Sequence, residues 1–179
     1  MTSTSATTFT IPTLETERLI MRAFNNDDVE QEIAFFASDR SRTIGGPLSR
    51  EEAWRSMAGY IGHWALRGYG FWAIEDKETG HYMGRAGMWN PEGWPEREIG
   101  WTLQAHAEGK GIAFEAATRA RAYAYETLGW DTAISMILAG NTRSIALAER
   151  LGATLDYDFE HAIYGTCHVY RHPKPEVSA

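Results

Sequence analysis

The chain is short of cysteine, of net positive charge and of long apolar runs. Among its 179 residues there is one cysteine, Cys167, which excludes an internal disulfide and fits a reducing compartment. No stretch approaches the ~18 apolar residues of a membrane span. Lys and Arg number 17 against 24 Asp and Glu, a formal net charge of −7. A broad basic surface for nucleic acid is therefore not expected. A local basic pocket remains compatible with this balance, and Arg85, Arg97, Lys110 and Arg143 are candidates for one. The first ten residues, MTSTSATTFT, lack the basic start and apolar core of a secretory signal. We expect a flexible N-terminal tail over 1–12, one domain over 13–172 and a C-terminal tail over 173–179, in the cytoplasm. The length suffices for a sizeable core.

Hydrophobic spacing divides the domain into elements. Thr16 to Arg22 alternates as a first strand. Asn25-Asn26-Asp27-Asp28 supplies helix-start residues ahead of Val29 to Ala37. Asp39 to Leu48 reads as a loop punctuated by Gly45, Gly46 and Pro47. Ser49-Arg-Glu-Glu52 is a capping-box pattern, and the helix it opens runs to about Leu66 with Ala53, Trp54, Met57, Ile61, Trp64 and Ala65 as its inner face. Strands follow at Phe71–Glu75, Tyr82–Trp89 and Glu96–Leu103. An alanine-rich helix then presents Ala113, Ala117, Ala120, Ala124 and Leu128 on one face. Thr132–Leu138 is a strand, Asn141 starts a short helix that Gly152 ends, and closing strands lie near Thr154–Ala162 and Thr166–Tyr170. This order predicts one α+β domain, a mixed sheet of about six or seven strands with helices on both faces.

The stretch Gly100 to Ala116 carries the most chemistry. A strand feeds a turn, Gly109-Lys110-Gly111, that opens a helix. The first N–H groups of a helix lack intrahelical partners, and the helix dipole favours an anion there. A P-loop needs glycine at 104 and Ser or Thr at 111, where Gln and Gly stand. A dinucleotide fingerprint needs a small residue at 114, where Phe stands. A tight turn without a ligand has the same local signature.

About thirty residues on, a strand leads to Asn141, Ser144 and a helix ending Glu149-Arg150-Leu151-Gly152. With His106-Ala-Glu-Gly109-Lys-Gly111, this ordered set resembles the GCN5-related N-acetyltransferase (GNAT) superfamily. The opening Thr13-Leu-Glu-Thr-Glu-Arg-Leu-Ile-Met-Arg22 and Gly109-Lys-Gly-Ile-Ala-Phe-Glu-Ala116 resemble the branch of ribosomal-protein N-terminal acetyltransferases. The resemblance covers about residues 13–172. It implies acetyl-CoA as co-substrate, held where two parallel strands splay apart. Backbone at Trp101, Thr102 and Leu103 would pair with the pantetheine arm. N–H groups from Glu108 and Gly109 through Lys110, Gly111 and Ile112 to Ala113 would hold the pyrophosphate. Asn141 would contact the pantetheine region and Ser144 would line the same cleft. The acceptor would be a primary amine, on a small molecule or a protein N-terminus, taken by a monomer or homodimer with no nucleic acid or membrane partner. A non-catalytic CoA-binding or interaction module is the rival reading.

Two positions depart from the family pattern. His106 stands where Gln or Arg is usual, and Ala148 stands where many members have a Tyr as general acid. A thiolate is a tolerable leaving group near neutrality, since a thiol has a pKa of about 8.5. The catalytic candidates are Glu98, as general base, and Ser144. Alternation puts Glu98 on the pleat side of Gly100 and Thr102; a surface carboxylate paired with Arg85 or Arg97 is the alternative. His63 and Trp64 lie on the helix that borders the acceptor pocket in this family. Trp54, Trp72, Trp89 and Trp101 read as core, and Trp94 as exposed near a pocket. Tyr164 is either a replacement acid or a turn aromatic, the latter favoured. The spacing of His161, Cys167, His168 and His172 fits no usual zinc pattern.

Overall fold

In the computed structural model the alternating start of the domain becomes two short strands, β1 (Leu14–Glu15) and β2 (Leu19–Arg22). The structure describes residues 8–174. The outer parts of both expected tails, 1–7 and 175–179, lie outside the described residues, whereas Ile11 packs on the core and the Pro12 carbonyl accepts from the Trp72 indole at 2.7 Å. Asn25 caps a 3-10 turn by accepting from the Asp27 N–H, and helix α1 (Val29–Ala37) continues from it. Buried Asp28 ends that turn against Arg22 at 2.8 Å, fixing α1 to β2.

The loop expected after α1 is a second 3-10 segment, Asp39–Ile44, followed by Gly45 at φ 92°. Helix α2 (Arg50–Arg67) starts with the Ser49–Glu52 capping box and stops at Gly68, φ 77°. Its buried stripe is Ala53, Met57, Tyr60, His63 and Trp64. Trp54, 56 % exposed, and Ala65 lie outside it, which corrects their assignment to the inner face. The cause is rotational, because a residue one step from the stripe turns about 100° away.

Strands β3 (Phe71–Asp76), β4 (Tyr82–Trp89) and β5 (Glu98–Leu103) form a meander. Helix α3 (Ile112–Glu126), strand β6 (Ile134–Leu138), helix α4 (Thr142–Arg150) and the hairpin β7 (Thr154–His161) and β8 (Gly165–Arg171) complete the domain. The eight strands make one sheet in the order β1-β2-β3-β4-β5-β6-β8-β7. All neighbours are antiparallel except β5 and β6. The count exceeds the expected six or seven because β1, with two residues, is too short to leave a periodic pattern.

Alternation sorts the core into two faces. Leu19, Met21, Trp72, Ile74, Met88 and Ile99 face α3, whose buried Ala116, Ala117, Ala120 and Ala124 let the helix sit close to the sheet. Ala113, expected on that face, turns instead toward the gap beside β5. On the other face Phe71, Ala73 and Tyr82 pack with Met57 and Tyr60 of α2. Arg85 is buried there too, paired with Glu32 of α1 at 2.5 Å and stacked under Tyr60 at 4.8 Å. Tyr82 donates to the same Glu32 at 2.7 Å, so the buried carboxylate is met by directed contacts, whereas the buried Arg85 Nε has no hydrogen-bond partner among the described residues.

Candidate active site

Strands β5 and β6 touch at one register position, Glu98 opposite Ile134. There the Ile134 N–H donates to the Arg97 carbonyl at 3.0 Å. One step further the Ile99 carbonyl accepts from the Ser135 hydroxyl at 2.6 Å instead of from backbone. Beyond that point the strands part. Alternation turns the N–H and C=O groups of Trp101 and Leu103 toward the gap, while Gln104 N–H donates at 2.9 Å to Met83 on β4. A cavity of about 880 Å³ fills the gap and extends over the α1 side. Trp101, Thr102 and Leu103 line it from β5, Asn141, Ser144 and Leu147 from the α4 side, and Phe35, Arg40 and Ile44 from the α1 side.

Its mouth is the glycine turn. Gly109 and Gly111 have φ of 71° and 78°, the left-handed region that side chains with a Cβ avoid. A Cβ on Gly109 would meet nothing within 4 Å, so glycine is required by conformation and the space before it is open. The domain's opening stretch braces this turn from behind. Arg18 donates to the Lys110 carbonyl at 2.9 Å and to Glu115 at 2.7 Å, and the Thr16 hydroxyl donates to Glu115 at 2.5 Å. Glu115 lies in the first turn of α3, where a carboxylate also suits the helix dipole.

Glu108, one residue before Gly109, joins two cations across the mouth. It accepts from Arg40 at 2.5 Å and from Arg143 at 2.8 Å. Arg40 donates as well to the Leu103 carbonyl at 3.2 Å. Two guanidinium groups therefore flank the place where the helix N-terminus would receive an anion.

Glu98 lies at the joined end of the parallel pair, on the α2 face. Its carboxylate accepts from the Trp94 indole N–H. A Cβ on Gly100 would come within 3.0 Å of the Glu98 carboxylate and 3.1 Å of the Phe71 ring, so glycine there makes room for both. Neither Arg85 nor Arg97 pairs with it; Arg85 is committed to Glu32 and Arg97 faces Asp131 at 3.5 Å. Burial pushes the Glu98 carboxyl up to about 8, with the Trp94 hydrogen bond opposing. Trp94 packs on His161 at 5.0 Å and on Tyr164 at 5.8 Å, and those two rings stack at 4.5 Å. A carboxyl poised near neutrality among aromatic rings, with no cation beside it, has the properties of a general base.

The description "acetyltransferase (GNAT) domain" belongs to a family model that matches residues 18–154. The chain belongs to this GNAT family. A solved acetyltransferase from Agrobacterium tumefaciens str. C58 is 36 % identical to it, with a TM-score of 0.85, and the match covers 96 % of this chain and 99 % of that one. The ribosomal L7/L12 alpha-N-protein acetyltransferase RimL, solved in complex with coenzyme A, shares the fold at 19 % identity and a TM-score of 0.71, over 88 % of this chain and 94 % of that one. Uncharacterized protein YkkB of Bacillus subtilis (strain 168) is 33 % identical over 90 residues, 48 % of this chain and 52 % of that protein. The chain thus spans about half the length of this curated relative. The GNAT domain and its acetyltransferase neighbours support an acyltransferase activity.

Of the residues singled out in this acetyltransferase by sequence, Trp101, Thr102, Leu103, Glu108, Gly109, Ala113, Asn141 and Ser144 share the cavity. His106, Lys110, Gly111 and Ile112 stand outside its lining. His106 is exposed in a 3-10 turn, Ala105–Ala107, with its ring 6.3 Å from that of His81. The Ile112 side chain, at the first position of α3, is buried in the core, so only its backbone can serve the turn. Asn141 spends its side-chain oxygen on the Ser144 N–H at 3.3 Å, as the cap of α4. Ala148 is buried among Ile137, Ala153 and Tyr170, and no side chain on α4 replaces the family's tyrosine at that position.

His63 and Trp64 lie outside the lining of the cavity beside β5, and both are buried. His63 meets the Tyr69 carbonyl at 2.6 Å and accepts from the Asn90 N–H at 3.1 Å, while the Trp64 indole donates to the Phe71 carbonyl at 2.9 Å. Backbone takes up their polar atoms. Trp72 is core, Trp89 is half-buried against Phe71 and Tyr60, and Trp101 borders the cavity. Trp94 is half-buried rather than exposed, because Glu98 draws it inward. Tyr164 lies in the β7–β8 turn, and its ring fills the space over Gly45, 2.6 Å from where a Cβ would stand. Cys167 is buried, His168 pairs with Asp158 at 2.6 Å and His172 with Ser135; among the described residues no three metal ligands gather. Arg40 and Ile44, on the 3-10 segment Asp39–Ile44, and Phe35, at the end of α1, escaped sequence reading, since neither stretch carries a motif. Among the described residues no helix is long and apolar enough to cross a membrane.

Proposed function

We propose that this acetyltransferase moves the acetyl group of acetyl-CoA to a primary amine by direct attack within a ternary complex. The observation that carries the proposal is the open edge of β5, beside a glycine turn at the N-terminus of α3. An edge with unpaired N–H and C=O groups suits an arm that carries amides, and the positive-φ turn with Arg40 and Arg143 suits a pyrophosphate. Acetyl-CoA supplies an acetyl group activated as a thioester. Binding falls to Trp101, Thr102 and Leu103 on the edge, to the N–H groups from Glu108 to Ala113, and to Asn141 and Ser144 across the gap. His106, exposed and outside the cavity lining, has the weakest claim among the loop residues.

Glu98 takes the proton from the acceptor amine. Near neutral pH a substantial fraction of a carboxyl of pKa about 8 is still protonated, so its activity as base rises through that value. An α-amine, with a pKa of about 7.7–8.0, needs far less help than a lysine side chain near 10.4. A protein N-terminus or a small amine without a strongly basic nitrogen is thus the favoured acceptor class. The Ser144 hydroxyl lines the cleft one turn before Ala148 and is the α4 group that can donate toward the leaving thiolate. A cytoplasmic setting fits the single reduced cysteine, Cys167.

Thiol release from acetyl-CoA, followed across a panel of α-amino peptides, amino acids, amino sugars and aliphatic amines, tests the proposal. Amine-dependent release with at least one member supports it. Calorimetric binding of acetyl-CoA without release on any amine would favour a non-catalytic CoA-binding module, for which buried Ala148 is the supporting observation.

A further inference from the structure

The gap between β5 and β6 has a specific cause. A continued parallel ladder would carry the Met136 N–H to the Ile99 carbonyl and the Trp101 N–H to the Met136 carbonyl. The Ser135 hydroxyl occupies the first of these acceptors at 2.6 Å. Ser135 and His172 are each 2 % exposed. His172 Nε2 lies 3.0 Å from the Ser135 hydroxyl, and His172 Nδ1 lies 3.1 Å from Arg121 Nη1. Arg121 cannot accept, so Nδ1 is the acceptor and Nε2 carries the proton. Nε2–H therefore donates to Ser135, which leaves the hydroxyl proton for Ile99. Burial, with the Arg121 charge second, lowers the His172 pKa to about 3, which keeps the ring neutral and the tautomer fixed. Backbone holds the ends of this chain, since His172 N–H donates to the Ala133 carbonyl at 2.9 Å and Arg121 to the Leu151 carbonyl at 2.6 Å.

We propose that the Arg121–His172–Ser135 chain is the device that ends the parallel ladder at Ile99, so that Ser135 is a positioning residue that keeps the Trp101 edge open for the co-substrate. This rests on the acetyl-CoA reading for its ligand but not for its geometry. Each link donates in one direction, from a half-buried cation to a strand carbonyl, and Ser135 and His172 are buried. Removing the hydroxyl strands the His172 N–H and bares the Ile99 carbonyl, and an unsatisfied buried acceptor is costly. The Met136 N–H is the donor nearest in register, so the two strands zip one step and take the Trp101 N–H out of the gap.

The test compares wild type with Ser135→Ala and with Ser135→Cys, a close isostere whose thiol is a weak donor. Amide hydrogen exchange at Trp101 is read in the free protein, alongside thermal stability and calorimetric affinity for acetyl-CoA. In wild type the Trp101 amide should exchange fast when free and slowly with acetyl-CoA. In Ser135→Ala it should be protected without ligand, and affinity should fall by about tenfold or more; Ser135→Cys should move the same way. Folded variants that keep wild-type exchange at Trp101 would overturn the proposal, whether or not stability or affinity drops. If Ser135→Ala does not fold, Ser135→Cys decides. A wild type that fails to bind acetyl-CoA refutes the proposed function instead, and the exchange comparison still judges the splay.

Discussion

Glu98 combines two features, a half-buried position against the Trp94 indole and the lack of a cationic partner. The neutral form is therefore favoured in the folded chain, and the folded protein binds a proton that the unfolded chain releases near 4.5. The folded value, about 8, lies above the unfolded one. Stability from this group is thus complete below the unfolded pKa and is lost as pH rises through the folded value. Between about pH 5 and pH 8 the melting temperature of wild type should fall relative to that of Glu98→Gln, which does not titrate. Parallel melting curves across that range would contradict the assignment. Activity should run the opposite way, because the base works only when ionised. With Glu98 as the proposed base, the proton that stabilises the fold at low pH would silence the site there.

The glycine turn and the Glu108 clamp belong to the scale of elements. Gly111→Ala should cost about 1–2 kcal/mol in chemical denaturation, because φ of 78° is unfavourable for a Cβ even where space allows one. An unchanged midpoint would show that the turn can relax. Glu108 presents a carboxylate to Arg40 and Arg143 at the mouth where an anion is expected. Glu108→Gln should bind acetyl-CoA more tightly, by a fewfold to about tenfold at low salt, with the gain shrinking as salt screens the charges. Weaker binding would show that Glu108 helps to hold the ligand.

At this scale the sequence was legible where a local rule acts. The capping box placed the start of α2 at Ser49, Gly152 marked the end of α4, and two motif segments predicted the shared cleft of Gly109 and Asn141. The inner face of α2 was misread at Trp54 and Ala65, because apolar residues there lie beside the stripe rather than on it. Arg40 was invisible, since only the close approach of the Asp39–Ile44 segment to Leu103 gives it a role. His63 offered a titratable ring on the right helix, and tertiary contacts with Tyr69 and Asn90 consumed it.

In the whole molecule the sheet divides the work. Its α3 face is closed by small residues against large ones, and its α1–α2 face carries buried Arg85–Glu32 and the rings around Glu98. The gap between β5 and β6 is the place where the two faces communicate, so a donor bound along β5 and an amine approaching Glu98 would meet from opposite sides of one strand. Composition argued against a broad basic surface for nucleic acid, and no apolar run approached the length of a membrane span. The sequence offered Arg143 as a candidate for a local basic pocket but not Arg40, whose place at the mouth of the cleft depends on the long-range contact with Glu108. The most direct measurement is a paired one on wild type and Glu98→Gln, acetyl-CoA affinity by calorimetry and amine-dependent thiol release at pH 8. The account predicts similar affinity and a loss of turnover of about a hundredfold or more. Equal turnover in the two proteins, or affinity lost along with it, would contradict the division between a donor site on β5 and a base at Glu98.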